Sequence, residues 1–182
     1  MEKIIYTSDE IKRSLIRISY EILEKNPSTK SLFIFGIETK GAIVGKRLYE
    51  LISEVNKTNI KVHFQALDTK LFRDDYKVNL ADQFNPSSNL DLENQVVIIV
   101  DDVLQTGRTA RAAIQAVLSI GRPKVIQLAT LIDRGHRELP IRPDYVGKNF
   151  PSSKDEFIEV QLEGKDSDCV ILKKKIEGTT NE

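Results

Sequence analysis

Val96 to Ala110 reads VVIIVDDVLQTGRTA. Mostly β-branched apolar residues, Val96 to Val100, run directly into Asp101 and Asp102. Thr106-Gly107-Arg108-Thr109 then leads into an alanine-rich segment of helical character. Physically this is a buried strand, two carboxylates at its carboxyl end, and a loop whose amides can hold an anion at a helix start. A sugar phosphate and a divalent metal fit side by side in such an arrangement, which points to nucleotide chemistry.

The rest of the chain bounds the class of molecule. At 182 residues, 40% of them apolar and 30% charged, the expectation is one soluble domain with a proper core. Lysine plus arginine and aspartate plus glutamate balance at 27 each, so nucleic-acid binding would have to come from a local patch. The single Cys169 excludes an internal disulfide and a cysteine-rich zinc site, which suits a reducing compartment. MEKIIYTSDE carries no signal pattern and no apolar run approaches membrane-spanning length, so a cytoplasmic location is expected.

Local patterns divide the chain into alternating strands and helices. Thr7 with Glu10 resembles a capping box and opens a helix through about Lys25. Ile11, Leu15, Ile18 and Ile22 form its inner stripe, while Arg13, Arg17, Tyr20 and Glu24 share an outer face. Asn26-Pro27 ends it. Strands are expected over 31–36, 60–67, 96–100 and 125–132, with helices over 41–55 and up to about Ile120. Short β segments near 144–149, 156–161 and 169–173 finish the chain. Between Thr69 and Asn94 the sequence is polar, without sustained period, and reads as a long surface loop. Alternation through residue 132 implies an α/β fold with a mostly parallel sheet.

In parallel sheets ligands bind beyond the carboxyl ends of strands, so Asp101 and Asp102 are well placed. Their side chains point opposite ways from the strand, so the two need not meet a ligand by the same geometry. Carboxylates accept hydrogen bonds from ribose hydroxyls and can orient magnesium, directly or through water. Gly107 permits close backbone approach, Thr106 and Thr109 add hydroxyls, and Arg108 adds charge. The same residues could cap a turn before an ordinary helix. Placement between an all-apolar strand and a helix favours a ligand site. No Walker loop and no G-x-G-x-x-G after a strand occurs.

The motif closely resembles the signature of type I phosphoribosyltransferases for phosphoribosyl diphosphate (PRPP). The resemblance implies that Asp101 and Asp102 meet the ribose hydroxyls and that Thr106, Gly107, Arg108 and Thr109 hold the 5′-phosphate. Gly36-Ile37-Glu38-Thr39-Lys40-Gly41 looks like the family's pyrophosphate loop, with Thr39, Lys40 and Gly41 as contacts and Lys40 as the cation. Leu71-Phe72-Arg73-Asp74-Asp75 resembles the flap that closes over PRPP, placing Arg73 among the catalytic residues with Asp101, Asp102 and Lys40. The flap spans about 69–94 and a small hood comes largely from 133–182.

Asp133-Arg134-Gly135-His136-Arg137-Glu138-Leu139-Pro140-Ile141-Arg142, followed by Asp144-Tyr145-Val146-Gly147-Lys148-Asn149, resembles the PyrR family over nearly the full chain. The resemblance implies uracil plus PRPP giving UMP and pyrophosphate with Mg2+, and UMP-dependent regulation through pyrimidine operon messenger RNA. It also implies a homodimer or higher oligomer. Tyr145 and Val146 would receive the base. Arg17, His136, Arg137, Arg142 and Lys148 match the family's RNA-facing basic surface, where Ile16 and Tyr20 replace a threonine and a histidine. Gln105 stands where PyrR proteins commonly carry tyrosine and purine enzymes an aspartate. Asp133 stands where hypoxanthine enzymes carry a lysine. Two alternatives remain open: an RNA-binding regulator with weak or no catalysis, and a purine (hypoxanthine/guanine) phosphoribosyltransferase. His63 and Cys169 read as ordinary β-segment residues.

Overall fold

The computed structural model describes residues 2–75, 90–162, 164 and 167–174. The middle of the expected flap, residues 76–89, lies outside them. Five parallel strands form the main sheet in the order β3-β2-β4-β5-β6: β2 Ser31–Ile37, β3 Lys61–Leu67, β4 Val96–Leu104, β5 Val125–Asp133 and β6 Tyr145–Asn149. Helix α1 (Ser8–Lys25) and helix α2 (Lys40–Val55) pack together on one face, and helix α3 (Arg108–Ile120) lies on the other.

Alternation in β2 and β4 divides the core cleanly between those faces. Leu32, Ile34, Val96, Ile98 and Val100 pack with the α1 and α2 stripes. Phe33, Phe35, Val97 and Ile99 pack against Ala110, Ala113, Ala116 and Val117 of α3. Val97 through Val100 are completely buried, so β4 is covered on both sides along its apolar stretch. Each such side chain contributes roughly 1.5–3 kcal/mol through removal from water. The chain passes from β2 through α2 outward to β3, and from β4 through α3 outward to β5. Strand order therefore reverses between β2 and β4, and a crevice opens at their carboxyl ends.

The capping box is present: Thr7 N donates to Glu10 Oε2 at 2.8 Å, and Glu10 N donates to Thr7 Oγ1 at 3.4 Å. Ile11, Leu15, Ile18 and Ile22 are buried, whereas Arg13, Arg17, Tyr20 and Glu24 are exposed. A second, antiparallel sheet orders β1 (Glu2–Tyr6), β8 (Cys169–Lys174) and β7 (Glu156–Gln161). This small sheet thus includes an N-terminal strand in addition to late ones. Tyr145–Asn149, expected as a short late β segment, joins the main sheet as β6 instead. Strand β4 also runs past the acidic pair to Leu104, so both aspartates are held in a paired strand. Among the described residues no helix is long and apolar enough to cross a membrane.

Candidate active site

Two loops meet at the reversal of strand order. One follows β2 through Glu38 and Thr39 into α2, with a cis peptide between those two residues. The other follows β4 through Gln105, Thr106 and Gly107 into α3. A Cβ on Gly41 would lie 2.7 Å from the Val100 carbonyl oxygen and 3.0 Å from Asp101 Cα. Only glycine lets the start of α2 sit directly on the acidic pair.

The caps of the three helices differ in a telling way. Helix α1 has its side-chain cap and acidic residues in its first turn. Helices α2 and α3 have neither. At the start of α3 the Arg108 N–H donates to Thr106 Oγ1 at 3.3 Å. Among the described residues the other first-turn N–H groups of α2 and α3 have no side-chain acceptor where the two loops converge, and such amides favour an anion. Gly107, with φ of 91°, turns the chain into α3, and its flank is covered by Leu139 and Ile141. The Thr106 carbonyl accepts from Glu138 N and Leu139 N at 3.0 and 3.1 Å, which fixes the loop from below.

Asp101 is 6% exposed; Asp102, pointing the other way, is half-buried. Burial, followed by the adjacent charge of Asp102, holds the Asp101 carboxyl well above the usual carboxylate range. The Asp102 N–H, which donates to Asp101 Oδ1 at 2.9 Å, and the positive charge of Arg73 both act in the opposite sense to that burial. Arg73 itself grips Asp75 through Nε and Nη2 at 2.9 and 2.8 Å. Asp74 pairs with Arg108 and Arg111, tying the root of the long loop to the first turns of α3.

A cavity of about 350 Å3 opens above the aspartates. Its walls are the Gln105–Gly107 loop, Arg134, and Phe157 and Ile158 of β7. A second hollow of about 370 Å3 lies between Glu38, Asp68 and Arg73. Lys40 faces β7, where its charge helps hold Glu159 below the usual carboxylate range, behind the larger effects of Gln161 and Lys173. The small sheet thus overhangs both loops. Among the described residues no group of three or more His, Cys, Asp or Glu side chains could hold a metal ion. Asp101 and Asp102 suit Mg2+, which commonly takes one or two carboxylates and completes its shell with water and substrate phosphate.

A model of the phosphoribosyl transferase domain matches residues 2–164. The Bifunctional protein PyrR of Clostridium kluyveri is 47% identical over 164 residues, covering 89% of this chain and 91% of that protein. The chain belongs to the PyrR family. The Bifunctional protein PyrR of Alkaliphilus metalliredigens is 47% identical over 186 residues, covering 100% and 99% of the two chains. The Pyrimidine operon regulatory protein of Lactococcus lactis is 45% identical over 170 residues, covering 92% and 95%. Among solved structures, a hypoxanthine phosphoribosyltransferase of Trypanosoma cruzi superposes with a TM-score of 0.68 at 20% identity, covering 95% and 97%. A hypoxanthine-guanine phosphoribosyltransferase of Bacillus anthracis gives 0.66 at 16%, covering 94% and 99%. At those identities the likeness is one of fold, the type I phosphoribosyltransferase fold.

Within this PyrR-family chain, the acidic pair, the starts of α2 and α3 and Arg73 lie near one another. The residues expected at the base do not join them. Tyr145 is 3% exposed, and its hydroxyl donates to Gln127 Oε1 at 2.8 Å and accepts from Asn26 Nδ2 at 3.3 Å. Burial pushes that phenol up to about 12. Its ring is core packing, and Val146 offers its carbonyl to Arg17. Phe157, 41% exposed on β7, is the aromatic ring that lines the cavity. The sequence signal for it was slight: one aromatic at a solvent-alternating position of a short strand.

The five basic residues expected to face RNA occupy two places. Arg17 and Lys148 share a hollow with Tyr6, Glu10 and Arg13 on the α1 side. Arg17 donates to the Val146 and Gly147 carbonyls and to Glu21; Lys148 donates to the Ile5 carbonyl and lies 4.9 Å over the Tyr6 ring. His136 and Arg137 belong to the loop whose Ile141 packs on the α3 side. Arg137 is held by Asp133 and by the Gln105 and Ile141 carbonyls, and the exposed His136 contacts the Ser152 carbonyl. Arg142 is exposed on the same loop. A single protomer therefore does not gather them on one concave surface. His63 stacks on Phe33 and Cys169 reaches Gln161, both on strands.

The raised Asp101 sets a pH dependence. Folding binds its proton more tightly than the unfolded chain does, so the group costs no stability below its ordinary value of 3.8. Its cost grows as pH rises from there through the raised value. Asp101→Asn is accordingly expected to raise Tm at pH 7, by about 2–4 °C for each kcal/mol relieved. The gain should fade toward about pH 4. Thermal melts across that range check it; an unchanged or lowered Tm at neutral pH contradicts it.

Proposed function

We propose that this chain is a uracil phosphoribosyltransferase, converting uracil and PRPP to UMP and pyrophosphate, and that it also regulates pyrimidine genes by UMP-dependent RNA binding. The observation that carries the enzymatic reading is the pair of helix starts without side-chain caps meeting over the buried Asp101 and the half-buried Asp102. The names of relatives at 45–47% identity, bifunctional PyrR and pyrimidine operon regulator, support both halves.

The roles follow from charge and position. Asp101 and Asp102 accept from the ribose hydroxyls, and their charge favours the positive character that grows on the sugar as the pyrophosphate leaves. Thr106, Gly107, Arg108 and Thr109 hold the 5′-phosphate; Thr39, Lys40 and Gly41 hold the pyrophosphate. Asp101 and Asp102 would hold Mg2+, directly or through water, and the bound ion would neutralise charge on the leaving group. Arg73 stands at the root of the 69–94 loop, which acts as a flap excluding water. The small sheet, with Phe157, is the hood under which the base stacks. The whole forms one phosphoribosyltransferase domain, working as a homodimer or higher oligomer in the cytoplasm.

Asp133 weighs against a purine substrate. Its oxygens accept from Gly135 N at 2.9 Å and Arg137 Nη2 at 2.6 Å, so this position is engaged in holding its own loop. Incubation with PRPP, Mg2+ and single nucleobases should yield UMP from uracil; preferential turnover of hypoxanthine or guanine, or no UMP, contradicts the enzymatic reading.

For RNA, Arg17, His136, Arg137, Arg142 and Lys148 remain the proposed contacts, spread over two faces that an oligomer or a folded RNA would have to bridge. Filter binding should retain pyrimidine operon messenger RNA in the presence of UMP, with affinity falling steeply as salt rises. Absence of retention at low salt removes the regulatory half.

A further inference from the structure

Arg134 is 5% exposed, a rare setting for a guanidinium. It donates to Ser152 Oγ, to the Ser153 carbonyl and, at 2.6 Å, to the Glu156 carbonyl, joining the end of β5 to the small sheet. Its Nη1 donates to Gln105 Oε1 at 3.3 Å. A guanidinium has donors and no acceptor, so this contact decides which way the Gln105 carboxamide faces. The oxygen turns to Arg134 and the NH2 is left for a ligand. Among the described residues, the amide nitrogen of Gln105 has no acceptor. The Gln105 carbonyl is separately gripped by Arg137 Nη1 at 2.8 Å, which fixes the backbone beneath the side chain.

Gln105 lines the same cavity as Phe157. A half-exposed aromatic face beside an oriented amide donor suits a flat ring that carries a carbonyl oxygen. We infer that Gln105 is a specificity-determining residue that donates to a carbonyl oxygen of the nucleobase, with Arg134 as the positioning residue that sets its orientation. The inference rests on the phosphoribosyltransferase reading and adds to it the chemical feature by which the base is selected. A base presenting an exocyclic amino group at that point would set donor against donor and be disfavoured.

The test compares uracil with 2-thiouracil and 4-thiouracil, in which sulfur, a weaker acceptor, replaces each carbonyl oxygen in turn. Wild type, Gln105→Leu and Gln105→Glu are compared. The glutamate variant retains an acceptor for Arg134 and offers no donor in its ionised form, so it separates reading of the base from bracing of Arg134. The wild-type protein should favour uracil over one of the two thio analogues. In both variants the KM for uracil should rise about three- to tenfold, with kcat and the KM for PRPP little changed. Discrimination against that analogue should shrink by a similar factor. A variant set in which uracil KM and discrimination at both positions match wild type overturns the inference, as does an effect present in Gln105→Leu and absent from Gln105→Glu. Thermal shifts with UMP, 2-thio-UMP and 4-thio-UMP read the same contact without turnover. Wild type that forms no UMP yet discriminates among these nucleotides through Gln105 contradicts the activity and keeps the contact; equal shifts in all three proteins overturn the contact.

Discussion

Placing a carboxyl group under 6% exposure at the end of a fully covered strand is the constraint from which the site follows. Val97 to Val100 are buried on both faces, so β4 cannot shift without disturbing two cores at once. The strand delivers Asp101 to a fixed place, and Gly41 is required because the start of α2 has to lie against it. Burial then makes the ionised form of Asp101 costly, a cost that a ligand with hydroxyl donors or positive charge would relieve. Stability is given up at the point where binding can recover it.

The second organising contact is Arg134. Its guanidinium satisfies Ser152, Ser153 and Glu156 and so sets the small sheet over the carboxyl ends of the large one. Desolvation lowers its pKa, with the Glu156 charge acting the other way. The same group orients Gln105. The position of the small sheet and the cavity wall are thereby tied to one buried cation.

Much of this was visible in the amino-acid pattern because it is local. The capping box of α1, the stripes of α1 and the apolar run of β4 each depend on neighbours within a few residues. The two strand-to-helix loops were readable for the same reason: glycine, threonine and lysine fall at those turns. What escaped depends on distant partners. Strand β1 is short, and it exists because β8 pairs with it at the far end of the described chain. Tyr145 has an amphipathic side chain that could face a base or a core, and Asn26 and Gln127 decide for the core. Arg17 lies on the outer face of α1, and the distant Val146 and Gly147 carbonyls, to which it donates, set its orientation. Arg134 sat inside a run of charged residues, and nothing in that run distinguishes the buried arginine from its exposed neighbours.

The proposed reaction requires a sugar phosphate to lie between the carboxylates and the start of α3. Titration of the 15N-labelled protein with ribose 5-phosphate, followed by amide NMR, tests it without depending on turnover. Saturable shifts are expected at Thr106 to Thr109, extending to Asp101 and Asp102. Shifts confined to the Arg17 and Lys148 hollow, with the 106–109 amides unmoved, would contradict it.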